Sequence, residues 1–170
     1  MMFRFLSICA AIVFLAACSS DSEDAGNSAG RGMTTASATP TTTDVTSQPV
    51  TPGSQEELVQ IGDRVFFEVD RYDLTSEAQA QLQRQAAWLQ QYPANKVIIE
   101  GHCDERGTRE YNLALGERRA TAVKNYLVAL GISDARLQTV SYGKERPEAT
   151  GSDESAWSQN RRSVMVLNNQ

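Results

Sequence analysis

The chain lacks a basic excess, has a single histidine, and contains no apolar run long enough to hold it permanently in a bilayer. Its 16 Lys and Arg stand against 21 Asp and Glu, a formal charge of −5 over 170 residues. No stretch clusters the basic residues. A protein that binds nucleic acid by neutralising phosphates needs such a cluster, so no nucleic-acid partner is expected. One histidine leaves no His pair for zinc, and neither a metal nor a cofactor is expected. The three cysteines, Cys9, Cys18 and Cys103, are too few and too odd in number for a disulfide framework. At this length, with 41% hydrophobic residues, the chain can bury one core and carry appendages, but not two well-packed domains.

Residues 1–17 read as a signal peptide: one Arg near the start, then the thirteen-residue apolar run Phe5 to Ala17. Crossing a ~30 Å hydrocarbon core takes ~20 helical residues, so this run is too short for a permanent span. It ends Leu15-Ala16-Ala17-Cys18, which resembles the bacterial lipobox, where the cysteine is acylated and becomes the first mature residue. Cys18 is therefore the expected lipidation site. Acyl chains contribute ~0.8 kcal/mol per buried methylene, and several together make an effectively permanent anchor. In that class of lipoprotein an Asp after the cysteine resembles an inner-membrane retention signal; here the residue is Ser19, which points to the outer membrane. Cys9 would leave with the leader, so Cys103 would be the only free thiol.

Residues 18–54 are mostly Ser, Thr, Gly, Ala, Asp, Asn and Pro, a composition that cannot offset its conformational entropy by burial. A flexible tether of this length reaches about 30–35 Å on average. The remaining domain, residues 55–170, carries the hydrophobic pattern. Strands are expected at 64–69, 96–100, 136–141 and 163–167. One helix follows a Ser76/Gln79 capping box, with Ala78, Leu82, Ala86 and Leu89 on one face, and stops at Tyr92-Pro93. A second runs from 109 to 130 with a break or kink near Gly116. The loop 142–162 contains one helical turn around Ala156. The order βαβαββ is that of an α/β (α+β) two-layer sandwich, with helices on one side of a small mixed sheet.

The second helix carries an anomaly. At 100° per residue, Ala122, Val123, Tyr126, Leu127 and Leu130 fall in an arc centred on Arg119, while Arg118 points to the flank. A guanidinium on an apolar face must snorkel, pair with a carboxylate, or line a pocket that receives an anion. Asp104, in the loop after the second strand, is the candidate partner. Such loops at the carboxyl ends of strands are common ligand sites. The two groups could close an internal salt bridge, or they could hold a zwitterion: ammonium on the Asp, carboxylate on the Arg.

The segments Gly101-His-Cys-Asp-Glu-Arg-Gly-Thr-Arg-Glu-Tyr-Asn112 and Leu115-Gly-Glu-Arg-Arg-Ala120, with Val123 and Tyr126-Leu127, resemble the peptidoglycan-binding domain shared by outer-membrane protein A and the flagellar stator protein MotB. With Phe67-Glu-Val-Asp-Arg-Tyr-Asp73, Ser141-Tyr-Gly-Lys-Glu-Arg-Pro147 and Asn160-Arg-Arg162 added, the pattern is similar to the peptidoglycan-associated lipoproteins. The resemblance covers the whole domain. It implies a ligand, the meso-diaminopimelate of the peptidoglycan stem peptide, with Asp104 at its ammonium and Arg119 at its carboxylate. It further implies that Asp70, Gly101, Thr108, Asn112 and Leu115 line the cleft. It implies a lipid-anchored protein of the outer membrane with its domain facing the periplasm, and a role in envelope integrity and constriction during cell division. It also implies partners, TolB and other Tol proteins, with Glu105, Arg106, Tyr72 and Asp73 contributing to a TolB surface that overlaps the wall-binding cleft. The sequence departs from the family at Cys103, where relatives more often carry Ala or Thr; a small buried residue and an oxidisable thiol are both open.

No catalytic residue is expected. A set built from His102, Cys103, Asp104 and Glu105 fails because neighbours on an extended strand end point to opposite faces, which separates the thiol from the imidazole. The alternative function is a structural lipoprotein that binds only proteins, with Asp104–Arg119 an internal salt bridge. The motor-stator branch is disfavoured because it needs a true transmembrane helix.

Overall fold

The computed structural model describes residues 49–168. The leader at 1–17, Cys18 and the tether as far as residue 48 lie outside the described residues. The chain forms α1 (Gln55–Ile61), β1 (Arg64–Phe66), α2 (Ser76–Gln91), β2 (Val97–His102), α3 (Arg109–Ala129), a short 3-10 turn (Asp134–Arg136), β3 (Leu137–Gly143), α4 (Glu154–Asn160) and β4 (Arg162–Leu167). The four strands make one mixed sheet in the order β1-β4-β2-β3. β4 runs antiparallel to both β1 and β2, while β2 and β3 are parallel. A parallel pair needs a crossover, and α3 supplies it.

The strands alternate. Val97 and Ile99 of β2, Leu137 of β3 and Met165 of β4 enter the core with Leu82, Ala86 and Leu89 of α2 and Ala120, Val123 and Leu127 of α3. Glu100 and His102, two residues apart on β2, share the opposite face, and His102 Nε2 lies 3.4 Å from Glu100 Oε2. The mixed α/β sandwich expected from the sequence is present.

Several element boundaries differ from the sequence reading. An additional helix, α1, precedes β1. Its signal was the pattern Ser54-x-x-Glu57: Ser54 Oγ accepts from Glu57 N–H at 3.3 Å, and the Glu57 carboxylate reaches back to Gly53 N–H at 2.6 Å. β1 spans three residues rather than six, because after one further bond from Phe67 N–H to Arg161 O the chain turns at Asp70, whose φ of 57° is left-handed. The cap of α2 is Thr75, not Ser76: its hydroxyl accepts from Ala78 N–H at 3.2 Å, and Gln79 bonds Leu74 O instead.

α3 runs without a break through Gly116. A glycine in mid-helix costs ~1 kcal/mol relative to Ala, but here the missing side chain is what the packing uses. The turn around Ala156 is the two-turn helix α4, capped by Asp153. Arg136 belongs to the 3-10 turn, so β3 starts at Leu137 and continues to Gly143.

Candidate functional site

β2 ends in an irregularity that makes the site. Its register with β3 shifts between Gly101 and His102, so that Gly101 faces Ser141 but His102 faces Gly143. A last bond from Cys103 N–H to Gly143 O at 2.8 Å closes the ladder, and the chain then leaves the sheet at Asp104. α3 begins five residues on, capped by Thr108, whose hydroxyl accepts from Tyr111 N–H. Between the strand end, the first turns of α3 and the loop after β1 lies a cleft of about 290 Å³. Val69, Asp70, Cys103, Asp104, Arg106, Gly107, Tyr111, Asn112, Leu115 and Arg119 line it.

Arg119 forms the floor and is fully buried. Its Nε donates to Arg71 O (2.8 Å), Nη1 to His102 O (2.8 Å) and Nη2 to Glu68 O (3.1 Å), and the guanidinium lies 5.1 Å from the Phe67 ring centroid. These three carbonyls belong to the loop after β1 and to the end of β2, so one side chain locks the two walls together. Among the described residues no carboxylate lies within ion-pairing distance of it. The internal Asp104–Arg119 salt bridge of the alternative reading is therefore not formed. Burial pulls the guanidinium down from its ordinary value, while the charge of nearby Asp104 acts in the other direction.

Asp104 is buried on the same cleft and pairs elsewhere. Its Oδ1 accepts from Arg106 N–H and Nε, both at 3.1 Å, and its Oδ2 accepts from Arg106 Nη2 at 2.6 Å. Arg161 Nη1 lies 3.6 Å from Oδ2. Burial raises the carboxyl, but the Arg106 hydrogen bonds and the charges of Arg106 and Arg161 outweigh it and hold it below the usual carboxylate range. An ionised carboxylate and a guanidinium with no carboxylate of its own thus line one cleft.

The other predicted positions divide. Asp70 and Leu115 line the cleft, and the Tyr111 hydroxyl donates to Asp70 Oδ1 at its rim. Asn112 lines it too, but its Nδ2 donates to Arg106 O (2.7 Å) and Thr108 O (3.1 Å), a bracing role at the helix start. Gly101 and Thr108 do not line it: one is where β2 touches α3, the other is the α3 cap. Of the TolB-type set, Arg106 sits on Asp104, Glu105 accepts from Trp157 Nε1 at 3.1 Å, and Asp73 pairs with Arg71 at 3.0 Å. Tyr72 is exposed beside Arg118 in a neighbouring groove.

Cys103 Sγ donates to Asn112 O at 3.4 Å, and burial pushes its thiol up to about 11 against the pull of Arg119. A protonated, buried thiol of this kind is a packing group. Arg161, buried 3.6 Å from Asp104, is a neighbour of the site that sequence reasoning misses. The signal for its place was the Arg161-Arg162 pair entering β4, since alternation sends neighbours to opposite faces.

A sequence profile of the OmpA family matches residues 66–161. The peptidoglycan-associated lipoprotein of Rhizobium meliloti is 49% identical over 154 residues, covering 90% of this chain and 81% of that one. That of Haemophilus influenzae is 44% identical over 163 residues, 96% of each chain. The crystal structure of the peptidoglycan-associated lipoprotein from Burkholderia pseudomallei superposes with a TM-score of 0.61 at 47% identity, covering 62% of this chain and 90% of that one. With family profile, relatives and fold in agreement, this chain belongs to the OmpA family and, within it, to the peptidoglycan-associated lipoproteins.

Proposed function

We propose that this protein binds peptidoglycan non-covalently through the distal zwitterionic centre of meso-diaminopimelate, with Asp104 taking the ammonium and the Arg119 fork taking the carboxylate. The function is binding and not catalysis. The observation that carries the reading is Arg119. A fully buried guanidinium with no carboxylate partner is costly unless an anion completes it, and one of its Nη2 protons has no acceptor among the described residues. Leu115 and Val69 supply apolar walls for the methylenes between the ligand's charged groups, and Asp70 stands at the rim. Because Arg119 has no exposed surface, groups lining the cleft must shift before a ligand carboxylate reaches it.

Anchored by lipid at Cys18 to the outer membrane, with residues 19–54 as a tether into the periplasm, the domain would link that membrane to the wall. TolB and other Tol proteins would compete for the rim formed by Glu105, Arg106 and the 70–73 loop, in support of envelope integrity and constriction during cell division. Co-sedimentation with purified sacculi tests the ligand. Lysine-type wall lacks the distal carboxylate that Arg119 would clamp, so the protein should pellet with diaminopimelate-type sacculi and remain in the supernatant with lysine-type sacculi. Equal retention on both overturns the reading.

A further inference from the structure

Asp104 is shared by two arginines that are held in opposite ways. Arg161 is buried and fixed: its Nε donates to Phe67 O at 3.0 Å and its Nη2 to Glu154 Oε1 at 2.5 Å. Its Nη1, with no hydrogen-bond partner among the described residues, stays 3.6 Å from Asp104 Oδ2. The Arg106 side chain, by contrast, is 38% exposed and, among the described residues, is held only by Asp104 and by Trp157, whose ring centroid lies 4.1 Å from the guanidinium carbon. The backbone beneath it is secured separately. Asn112 Nδ2 donates to Arg106 O, and Lys144 Nζ donates to Glu105 O and Gly107 O at 3.1 and 2.7 Å. The side chain can therefore leave while the loop stays.

An ammonium group arriving at Asp104 finds the carboxylate already engaged. Oδ1 already accepts two N–H groups and Oδ2 a third, all from Arg106. A third cation beside Arg106 and Arg161 would gather two like charges too many around one carboxylate. The exposed arginine is the one that can yield, since water solvates it as it moves.

We propose that Arg106 is a displaceable internal cation that occupies Asp104 in the free protein, is exchanged for the ligand's ammonium on binding, and so sets the affinity of the cleft. Trp157 is the stacking platform that holds it closed, and the Glu105 carboxylate orients that ring through its Nε1. The proposal rests on the wall-binding reading above. Arg106 acts against binding: the cleft admits a cation only if it outcompetes the guanidinium already there.

The test is calorimetric titration of the full chain in detergent with a synthetic L-Ala-γ-D-Glu-meso-diaminopimelate tripeptide, with thermal melts of each variant to establish folding. Arg106→Gln should bind about fivefold tighter than wild type. Arg106→Lys should return toward the wild-type value, and Trp157→Leu should tighten binding by a smaller factor. Trp157 emission should shift at saturation in the wild type and stay constant in Arg106→Gln. Arg106→Gln binding equally or more weakly, with Asp104→Asn still abolishing binding, overturns the exchange and leaves the site reading standing. Binding indifferent to Asp104→Asn overturns both.

Discussion

Gly101 of β2 and Gly116 of α3 meet backbone to backbone: a Cβ on Gly101 would stand 1.9 Å from the carbonyl oxygen of Gly116. That contact sets the height of α3 over the sheet, and with it the position of Arg119 one turn further along the helix. Gly101→Ala should cost about 3 kcal/mol or more, because the obstacle is backbone and cannot rotate away. Gly116→Ala meets the Ser141 hydroxyl first, at 2.3 Å, but also Gly101 O at 2.9 Å, and should cost less. Urea denaturation of the two variants against wild type checks the ranking.

Arg119 should behave as a structural residue and a ligand group at once. Arg119→Ala leaves the carbonyls of Arg71, His102 and Glu68 without their donors, a predicted loss of about 2–4 kcal/mol together with loss of wall binding. Asp104→Asn keeps the shape and should lose binding at much smaller cost in stability. Parallel denaturation and sacculus co-sedimentation would separate the two. An Asp104→Asn protein that is folded and still pellets with sacculi contradicts the assignment.

Stability should fall in mild acid through His102. The ring is buried beside Tyr142, and neither nitrogen has a hydrogen-bond partner among the described residues. Burial first, and then the charges of Arg162 and Arg146, pull the imidazole down to about 4, against opposing contributions from the Arg146 backbone and Glu148. Because the folded value lies below the ordinary 6.5, the unfolded chain binds the proton more readily. The contribution is therefore complete above about pH 6.5 and is lost as pH falls toward 4. Its size is of order 2 kcal/mol once local solvent access is allowed for. Denaturation midpoints at several pH values should show this slope in wild type and a shallower one in His102→Leu.

Cys103 should resist alkylation in the folded protein, given its burial and a thiol near 11. Peptide mapping after timed iodoacetamide treatment should find its peptide unmodified in buffer and modified in denaturant. Comparable labelling in both would revive the oxidisable thiol.

Much of the architecture was legible because it rests on periodicity. The faces of α2 and the burial of Arg119 both follow from 3.6 residues per turn, which survives errors at element ends. Contacts without a local pattern were not legible. Gly116 read as a break, since its helix penalty is local while its reason, Gly101, lies on another element. Asp104 and Arg119 could be placed at one cleft, but nothing in sequence reports that Arg106, two residues from Asp104, takes the carboxylate first. The place of Arg161 depends on β4 pairing beside β1, again a long-range fact.

The account stands most directly on where a bound stem peptide puts its charges. A crystal structure of the protein with the diaminopimelate tripeptide should show the distal ammonium within hydrogen-bond distance of the Asp104 carboxylate and the distal carboxylate on the Nη2 edge of Arg119. A tripeptide bound elsewhere, or bound in the cleft with its distal centre away from both side chains, would contradict it.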